Sequence, residues 1–338
     1  MTAPLALMTG YPGWLTEHLL RLLQAGSTAG NWSKELSRYR WRALVAPGYS
    51  KHSRLPIVDE IVEGDLRDVA VIEKAVSGAQ LVLHAGGIIH PRRIRKLYEI
   101  NGDACRNLSD LAVQAGVQRL VFISSNAAAG FGSATLDMRE TDPPKPRSHY
   151  GRSKLRGERA LWERLEGSST EGVVLRPTTF YGPFFPRRQL RAYQLAGGGR
   201  PPILGDGHNR VSMIYIDDLI DAVGRALVLP VAAGGTYFIA DNEIYDWAQV
   251  LREMGEAQGA HVRPRYLPGF GAQLCHWLDR GLSAFGLYSM MIHVAGEGTR
   301  HMGCRNDRAR RELGFDPQTG ISAGMRTAVQ WARQQGWL

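Results

Sequence analysis

The sequence predicts an α/β protein in which a parallel sheet is covered by helices, with one large domain and one smaller one. Three observations predict it. The first half alternates short apolar runs with helical patterns, an order that lays parallel strands side by side beneath helices. The first apolar run, 5–8, feeds straight into Thr9-Gly10-Tyr11-Pro12-Gly13 and then a helix. A chain of 338 residues with 44% hydrophobic content can bury a large core, and it exceeds the common size of a single domain.

Taken in order, the strands fall at 5–8, 43–45, 61–62, 81–84, 120–124 and 173–176. Helices are expected at 17–24, at 101–115 and over the segment that carries Tyr150 and Lys154. The segment 26–39, glycine-rich at 26–30, is longer than a minimal connection and reads as an irregular insertion. Past Thr178 the texture changes: a loop at 197–202, a turn at Gly205-Asp206-Gly207, a strand at 236–240 and a helix at 245–256. There is no internal repeat.

Composition narrows the partners. The net charge is +9, carried by 35 Arg against 6 Lys, with clusters at Arg92-Arg93-Ile94-Arg95-Lys96 and Arg187-Arg188-Gln189-Leu190-Arg191. Such charge suits a phosphorylated cofactor, an acidic substrate or an anionic surface, and solvated helix faces are the plain alternative. No nucleic-acid motif accompanies it, so no nucleic-acid partner is expected. Cys105, Cys275 and Cys304 form neither a CxxC nor a Cys/His ligand spacing, so no metal is expected and a reducing cytoplasm is. The start of the chain is too short for a signal peptide. No charge-free apolar run of ~18 residues occurs, so no transmembrane span is expected. From Leu274 to Val294 the chain is apolar and aromatic, through Trp277, Leu278, Phe285, Met290 and Met291, but His276, Asp279 and Arg280 interrupt it. Core packing of the second domain is the expectation. An apolar pocket wall or a membrane-surface contact is the sharper reading.

The chemistry sits in two places. Gly10 permits a tight turn and Gly13 lets backbone approach a pyrophosphate held at a helix N-terminus; Thr16 stands where a third glycine is usual. An acid closing the second strand would hold a ribose 2′-hydroxyl, but that strand ends Leu44-Val45-Ala46-Pro47, with Lys51 and Arg54 nearby, which favours NADP(H) over NAD(H). Asp65 either accepts from an adenine amino group or caps the next helix. The second place is Tyr150-x-x-x-Lys154, whose i,i+4 spacing puts phenol and ammonium on one helix face. Lowering a phenol's pKa by ~3 units takes about 4 kcal/mol. An ammonium ~5 Å away at an effective dielectric of ~20 supplies roughly 3 kcal/mol of that. Ser125, with Ser124 ranked second, would hydrogen-bond the substrate oxygen.

These residues resemble the extended short-chain dehydrogenase/reductase family. The resemblance runs through Thr9-Gly10-x-x-Gly13, Gly64-Asp65-Leu66-Arg67-Asp68, His84-Ala85-Gly86, Asn101, Ser124-Ser125, Tyr150-x-x-x-Lys154, Arg176-Pro177, Ile214-Tyr215-Ile216-Asp217-Asp218-Leu219 and Ala309-Arg310-Arg311-Glu312-Leu313. It implies a Rossmann-type doubly wound parallel sheet with a smaller C-terminal α/β substrate domain. The dinucleotide domain would be 1–178 plus about 212–242, and the substrate domain 179–211 plus about 243–338. It implies a homodimer and a catalytic set of Ser125, Tyr150 and Lys154. Cofactor contacts would come from Gly10, Gly13, Trp14, Leu15, Asp65 and Leu66. Further contacts would come from Ala85, Gly86, Gly87, Tyr150, Lys154, Pro177 and Thr179.

Departures from the family's pattern bear on the substrate. Nucleotide-sugar members place an arginine where this chain has Val211, with Arg210 displaced by one. Gly86-Gly87 replaces alanines, and Asn126 follows the serine. The chain is closest in character to 3β-hydroxysteroid dehydrogenase-like members. The expected function is therefore interconversion of a secondary alcohol and a ketone on a largely apolar, steroid-like or 3-oxoacyl-like small molecule. A nucleotide-sugar epimerase or dehydratase using the same residues is the alternative, and a non-catalytic NAD(P)-sensing protein the minor one.

Overall fold

The computed structural model describes residues 3–26, 31–49 and 58–338. The first half contributes strands β1 (Leu5–Tyr11), β2 (Arg40–Val45), β3 (Glu60–Glu63), β4 (Ala79–His84), β5 (Arg119–Ile123) and β6 (Glu171–Pro177). Between them run helices α1 (Trp14–Gln24), α2 (Asn31–Leu36), α3 (Val69–Val76), α4 (Arg95–Tyr98), α5 (Ala104–Gln114) and α6 (His149–Leu165). A widened turn, Glu99–Asp103, joins α4 to α5.

The second half adds β7 (Thr179–Tyr181), α7 (Arg187–Gly197), β8 (Pro202–Leu204), β9 (Arg210–Val211), β10 (Met213–Tyr215), α8 (Ile216–Val228), β11 (Thr236–Ile239), β12 (Tyr245–Asp246) and α9 (Trp247–Glu256). It ends with β13 (Arg265–Leu267), α10 (Phe270–Ala284), α11 (Met290–Glu297), α12 (Asp307–Leu313) and α13 (Ile321–Gln334).

The main sheet has seven strands in the order β11-β6-β5-β4-β1-β2-β3, all parallel. This is the Rossmann-type doubly wound sheet the sequence predicts. Its strands read as near-continuous apolar runs because both faces are covered, and successive side chains feed different cores. In β1, Ala6 and Met8 enter the core beneath α1, α8 and α13, while Leu7 enters the one beneath α3 and α5. In β5, Val121 and Ile123 take the first side, Leu120 and Phe122 the second. Strand order reverses where β1 stands between β2 and β4, which opens a crevice past their carboxyl ends.

Two expectations fail here. The segment 26–39 is not irregular throughout: α2 occupies Asn31–Leu36, although 27–30 lie outside the described residues. The reason is tertiary. Trp32 is buried against α8, its indole N–H donating to Asp221 at 2.8 Å, and Gly224 leaves the room, since a Cβ there would stand 2.2 Å from the Trp32 ring.

The stretch from Leu274 to Val294 is likewise not core. α10 and α11 pack against each other, closely enough that a Cβ on Gly296 would lie 3.0 Å from the His276 backbone. Ala272, His293 and Gly296 fill that seam, while Trp277, Phe285 and Met291 are 61%, 84% and 78% exposed. Among the described residues, no helix is long and apolar enough to cross a membrane.

Candidate active site

The glycine turn is shaped by close approach. Gly10 has φ +85°, and a Cβ there would come within 2.7 Å of the Ala85 backbone, so β1's exit and β4's exit are pressed together. A Cβ on Gly13 would stand 2.4 Å from the Gly10 carbonyl oxygen. Thr16 is buried, and its hydroxyl lies 3.2 Å from the Gly10 carbonyl and 3.0 Å from that of Gly13, tying the turn to the helix. No side chain caps α1, which leaves the first-turn amides of Trp14 and Leu15 for a ligand anion. Glycine geometry and free amides together fit a dinucleotide's pyrophosphate. The Trp14 ring itself packs on Phe180, and its indole N–H donates to the Pro183 carbonyl at 2.8 Å.

Across the crevice, the Gly86 amide donates to Thr9 at 2.9 Å. The glycines standing for alanines are explained by crowding: a methyl at Gly86 would meet the Thr9 hydroxyl at 2.8 Å and Leu66 at 3.0 Å, and one at Gly87 would meet the Asn101 amide at 2.9 Å and Lys154 Nζ at 3.3 Å. Asp65 does not cap α3; Asp68 does, accepting from the Ala70 amide at 3.0 Å. Asp65 instead pairs with Arg67 at 2.6 Å, and that hydrogen bond holds its carboxyl below the usual range. Its side chain stays 42% accessible, open to an adenine edge. Pro177 ends β6 and Thr179 opens β7. Lys51 and Arg54 lie outside the described residues.

The helix bearing Tyr150 is capped by Ser148, which accepts from the Gly151 amide at 3.1 Å. Gly151, inside the Tyr/Lys spacing, is what the sequence reading missed. A Cβ there would stand 2.2 Å from the Ala127 carbonyl oxygen, so only glycine lets α6 reach the Ser125 segment. The Ser125 hydroxyl accepts from the Ala127 amide at 3.2 Å, lies 3.3 Å from Asn126 Oδ1 and favours the ionised form of the Tyr150 phenol. Ser124 is committed elsewhere: it donates to Glu158 at 2.5 Å, and Glu158 also takes both arms of Arg176, at 3.0 and 2.7 Å. That buried network leaves Ser125 as the available hydroxyl.

Burial pushes the Tyr150 phenol up to about 12, with Ser125 and the charge of Arg188 pulling the other way. Lys154 lies one turn further along α6 from the phenol. Its ammonium is drawn down to the Ile123 carbonyl, 2.7 Å away, and lies 4.7 Å from the Phe122 ring centre. Burial lowers Lys154 to about 8. Asn101, fully buried in the widened turn, fixes the neighbouring loop through two bonds of 2.9 Å to the Ile88 backbone and one of 3.0 Å to Ser153. Widened turns of this kind recur at functional sites.

Beside the first turn of α6 lies a cavity of about 840 Å³, bounded by His149 and Arg152 on one side and by His276, Asp279, Arg280 and His293 on the other. Lys145, Arg147, Arg152, Arg280 and Arg300 line it against two carboxylates, Asp279 and Glu297. Both carboxylates face His293, at 3.0 and 3.4 Å, and hold its imidazole up against the effect of its burial. Arg210 takes no part: it is clamped by Asp137 at 2.9 and 3.0 Å, and Val211 is buried.

Residues 6–240 match the model of the NAD dependent epimerase/dehydratase family. The chain belongs to that family. It is an enzyme of the extended short-chain dehydrogenase/reductase type. Among relatives of this family member, an uncharacterized protein of Sinorhizobium fredii, y4nL, is 35% identical across 99% of this chain and 97% of its own length. A ceramide reductase of Caulobacter vibrioides is 27% identical across 98% and 95%. A UDP-glucose 4-epimerase of Vibrio cholerae is 28% identical over 57% and 62%. In fold, the chain is similar to a UDP-glucose 4-epimerase of Thermotoga maritima solved with UDP-glucose (TM-score 0.76, 19% identity, 98% and 99% covered).

Proposed function

We propose that this family member interconverts a secondary alcohol and a ketone on a largely apolar substrate, with Ser125, Tyr150 and Lys154 as its catalytic residues. The observation that carries the reading is the convergence of Ser125, Tyr150 and Lys154 at the carboxyl edge of the sheet, where Gly151 lets α6 close on the Ser125 segment and Lys154 bonds the Ile123 carbonyl at the end of β5. The bound nicotinamide would supply or accept the hydride. Tyr150, protonated at neutral pH because burial favours the neutral phenol, donates its proton to the substrate oxygen during reduction. Ser125 donates a hydrogen bond to the same oxygen as negative charge develops there. Lys154 would hold the ribose hydroxyls of the bound cofactor.

Gly10, Gly13, Trp14 and Leu15 would hold the pyrophosphate, Asp65 and Leu66 the adenine side, and Ala85, Gly86, Gly87, Pro177 and Thr179 the nicotinamide side. NADP(H) is preferred over NAD(H) in this reading, since the loop after β2 carries no acid at 46–49 to repel a 2′-phosphate. Residues 1–178 and about 212–242 form the cofactor domain, and the remainder holds the substrate. The substrate assignment rests on Val211 and the clamped Arg210, which leave no arginine where nucleotide-sugar enzymes use one, and on the ceramide reductase similarity spanning nearly the whole chain.

One observation favours the epimerase or dehydratase alternative: the five cations lining the cavity beside Tyr150 could hold a diphosphate. The test is a panel of long-chain and steroid ketones and nucleotide sugars, with NADPH and NADH, followed at the nicotinamide absorbance. Net cofactor consumption on an apolar ketone, abolished in Tyr150→Phe, supports oxidoreduction. Turnover of a nucleotide sugar without net consumption overturns it.

A further inference from the structure

We propose that the α10–α11 hairpin and the basic segment 92–96 together form a surface that seats this enzyme on an anionic lipid bilayer. The sequence leaves these as two unrelated oddities nearly two hundred residues apart. The fold joins them: the Ile94 amide donates to the Gly286 carbonyl at 3.2 Å, and Arg93 forms a β-bridge with Leu287, at the turn between the two helices.

The hairpin has two unlike faces. One carries His276, Asp279, His293 and Glu297 into the cavity. The other presents Leu274, Trp277, Phe285, Met291 and Val294 to solvent, each more than half exposed, an apolar expanse that the protein itself does not cover. The only acids between 270 and 297 are Asp279 and Glu297, and both are turned inward to His293. The outward face is therefore free of carboxylates. At its turn stand Arg92, Arg93 and Lys96, none of which joins an ion pair among the described residues, and on its flank Arg280 lies 5.7 Å from the Trp277 ring centre. Exposed apolar and aromatic groups bordered by cations, with no anions between, complement the headgroup boundary of an anionic membrane. α10 has 15 residues, short of the ~20 needed to span, which suits a helix lying in the interface.

A second copy of the chain fits the face less well. A twofold axis through it would bring each basic segment near its own image. The hairpin also reaches the candidate site: Tyr288, in its turn, lies 2.8 Å from His90, and its inner face lines the cavity shared with His149 and Arg152 at the start of α6. If the apolar-substrate reading holds, a substrate leaving the bilayer enters beside the phenol, but bilayer attachment itself does not depend on that reading.

The experiment is flotation of the full-length chain with vesicles of phosphatidylcholine alone and of equimolar phosphatidylcholine and phosphatidylglycerol. Binding to the anionic vesicles that weakens as salt rises is expected. Arg92→Glu/Arg93→Glu should lower it by at least about fivefold per charge removed. Trp277→Ser/Phe285→Ser should abolish it while thermal melting stays unchanged, and Phe285→Ser alone serves if the double variant does not fold. Absence of binding at low salt overturns the proposal, as does binding indifferent to both salt and the arginine variant. A dimer in solution that Phe285→Ser converts to monomer, without vesicle binding, overturns it in favour of a second copy. Failure of every carbonyl substrate, with vesicle binding intact, would count against the proposed reaction alone.

Discussion

The floor of the site and the α10–α11 hairpin invert each other's physics. Around Tyr150, charged groups are buried and paired: Glu158 and Arg176 are almost wholly inside and hold each other, and Lys154 spends its ammonium on a backbone carbonyl. On the hairpin, apolar side chains stand in water and the acids are turned in. Buried charge costs stability and is kept where it holds a reacting geometry. Exposed apolar surface costs solubility and is kept where something else covers it. Stability and function should therefore respond oppositely in the two regions.

The largest separation should come from Tyr150→Phe. Removing the proton donor should lower turnover by about 10²–10⁴-fold, measured at the nicotinamide absorbance, while melting is almost unchanged. Glu158→Ala strands the Arg176 guanidinium without its partner and should cost about 3–5 kcal/mol in denaturant unfolding; a loss under about 1 kcal/mol would mean the network is not what orders this floor. Gly10→Ala forces a methyl into the Ala85 backbone at positive φ, costing about 1–3 kcal/mol and weakening dinucleotide binding in calorimetric titration.

Lys154→Met sharpens the contrast because its two effects have opposite sign. Burial lowers the folded lysine from 10.5 to about 8, so the unfolded chain binds the extra proton between those values and stability rises with pH across that window. Below pH 8 the full cost of the buried charge is present. The variant should lose activity yet gain about 1–2 kcal/mol at neutral pH, after allowing for the lost bond to Ile123. It should also lack the wild-type rise in stability between pH 8 and 10.5. The smallest effect is expected at the hairpin: Phe285→Ser should move stability by no more than about 0.5 kcal/mol, and a larger loss would show that this face packs against the protein after all.

Much of the site was legible before any coordinates. The glycine turn and Tyr150 with Lys154 are local signals, written as spacing within one turn or one helix. What escaped was set by contacts between distant segments. α2 exists because Trp32 finds room over Gly224, and no propensity within 26–39 reports that. The cap of α3 fell to Asp68 rather than Asp65, three residues earlier, because the helix begins at Val69 and Asp65 pairs with Arg67. The Arg188 charge favours the ionised form of the Tyr150 phenol, although its basic cluster reads as solvated surface in sequence.

The sequence by itself determined the parallel sheet, the cofactor turn and the residue types of the reacting centre, because backbone periodicity and short-range spacing suffice for those. Only the tertiary structure decided which serine is free and that the apolar segment around Trp277 faces outward beside Arg93. Those outcomes depend on close approaches across scores of residues, where a missing Cβ at Gly151, Gly224 or Gly296 decides whether two elements can touch.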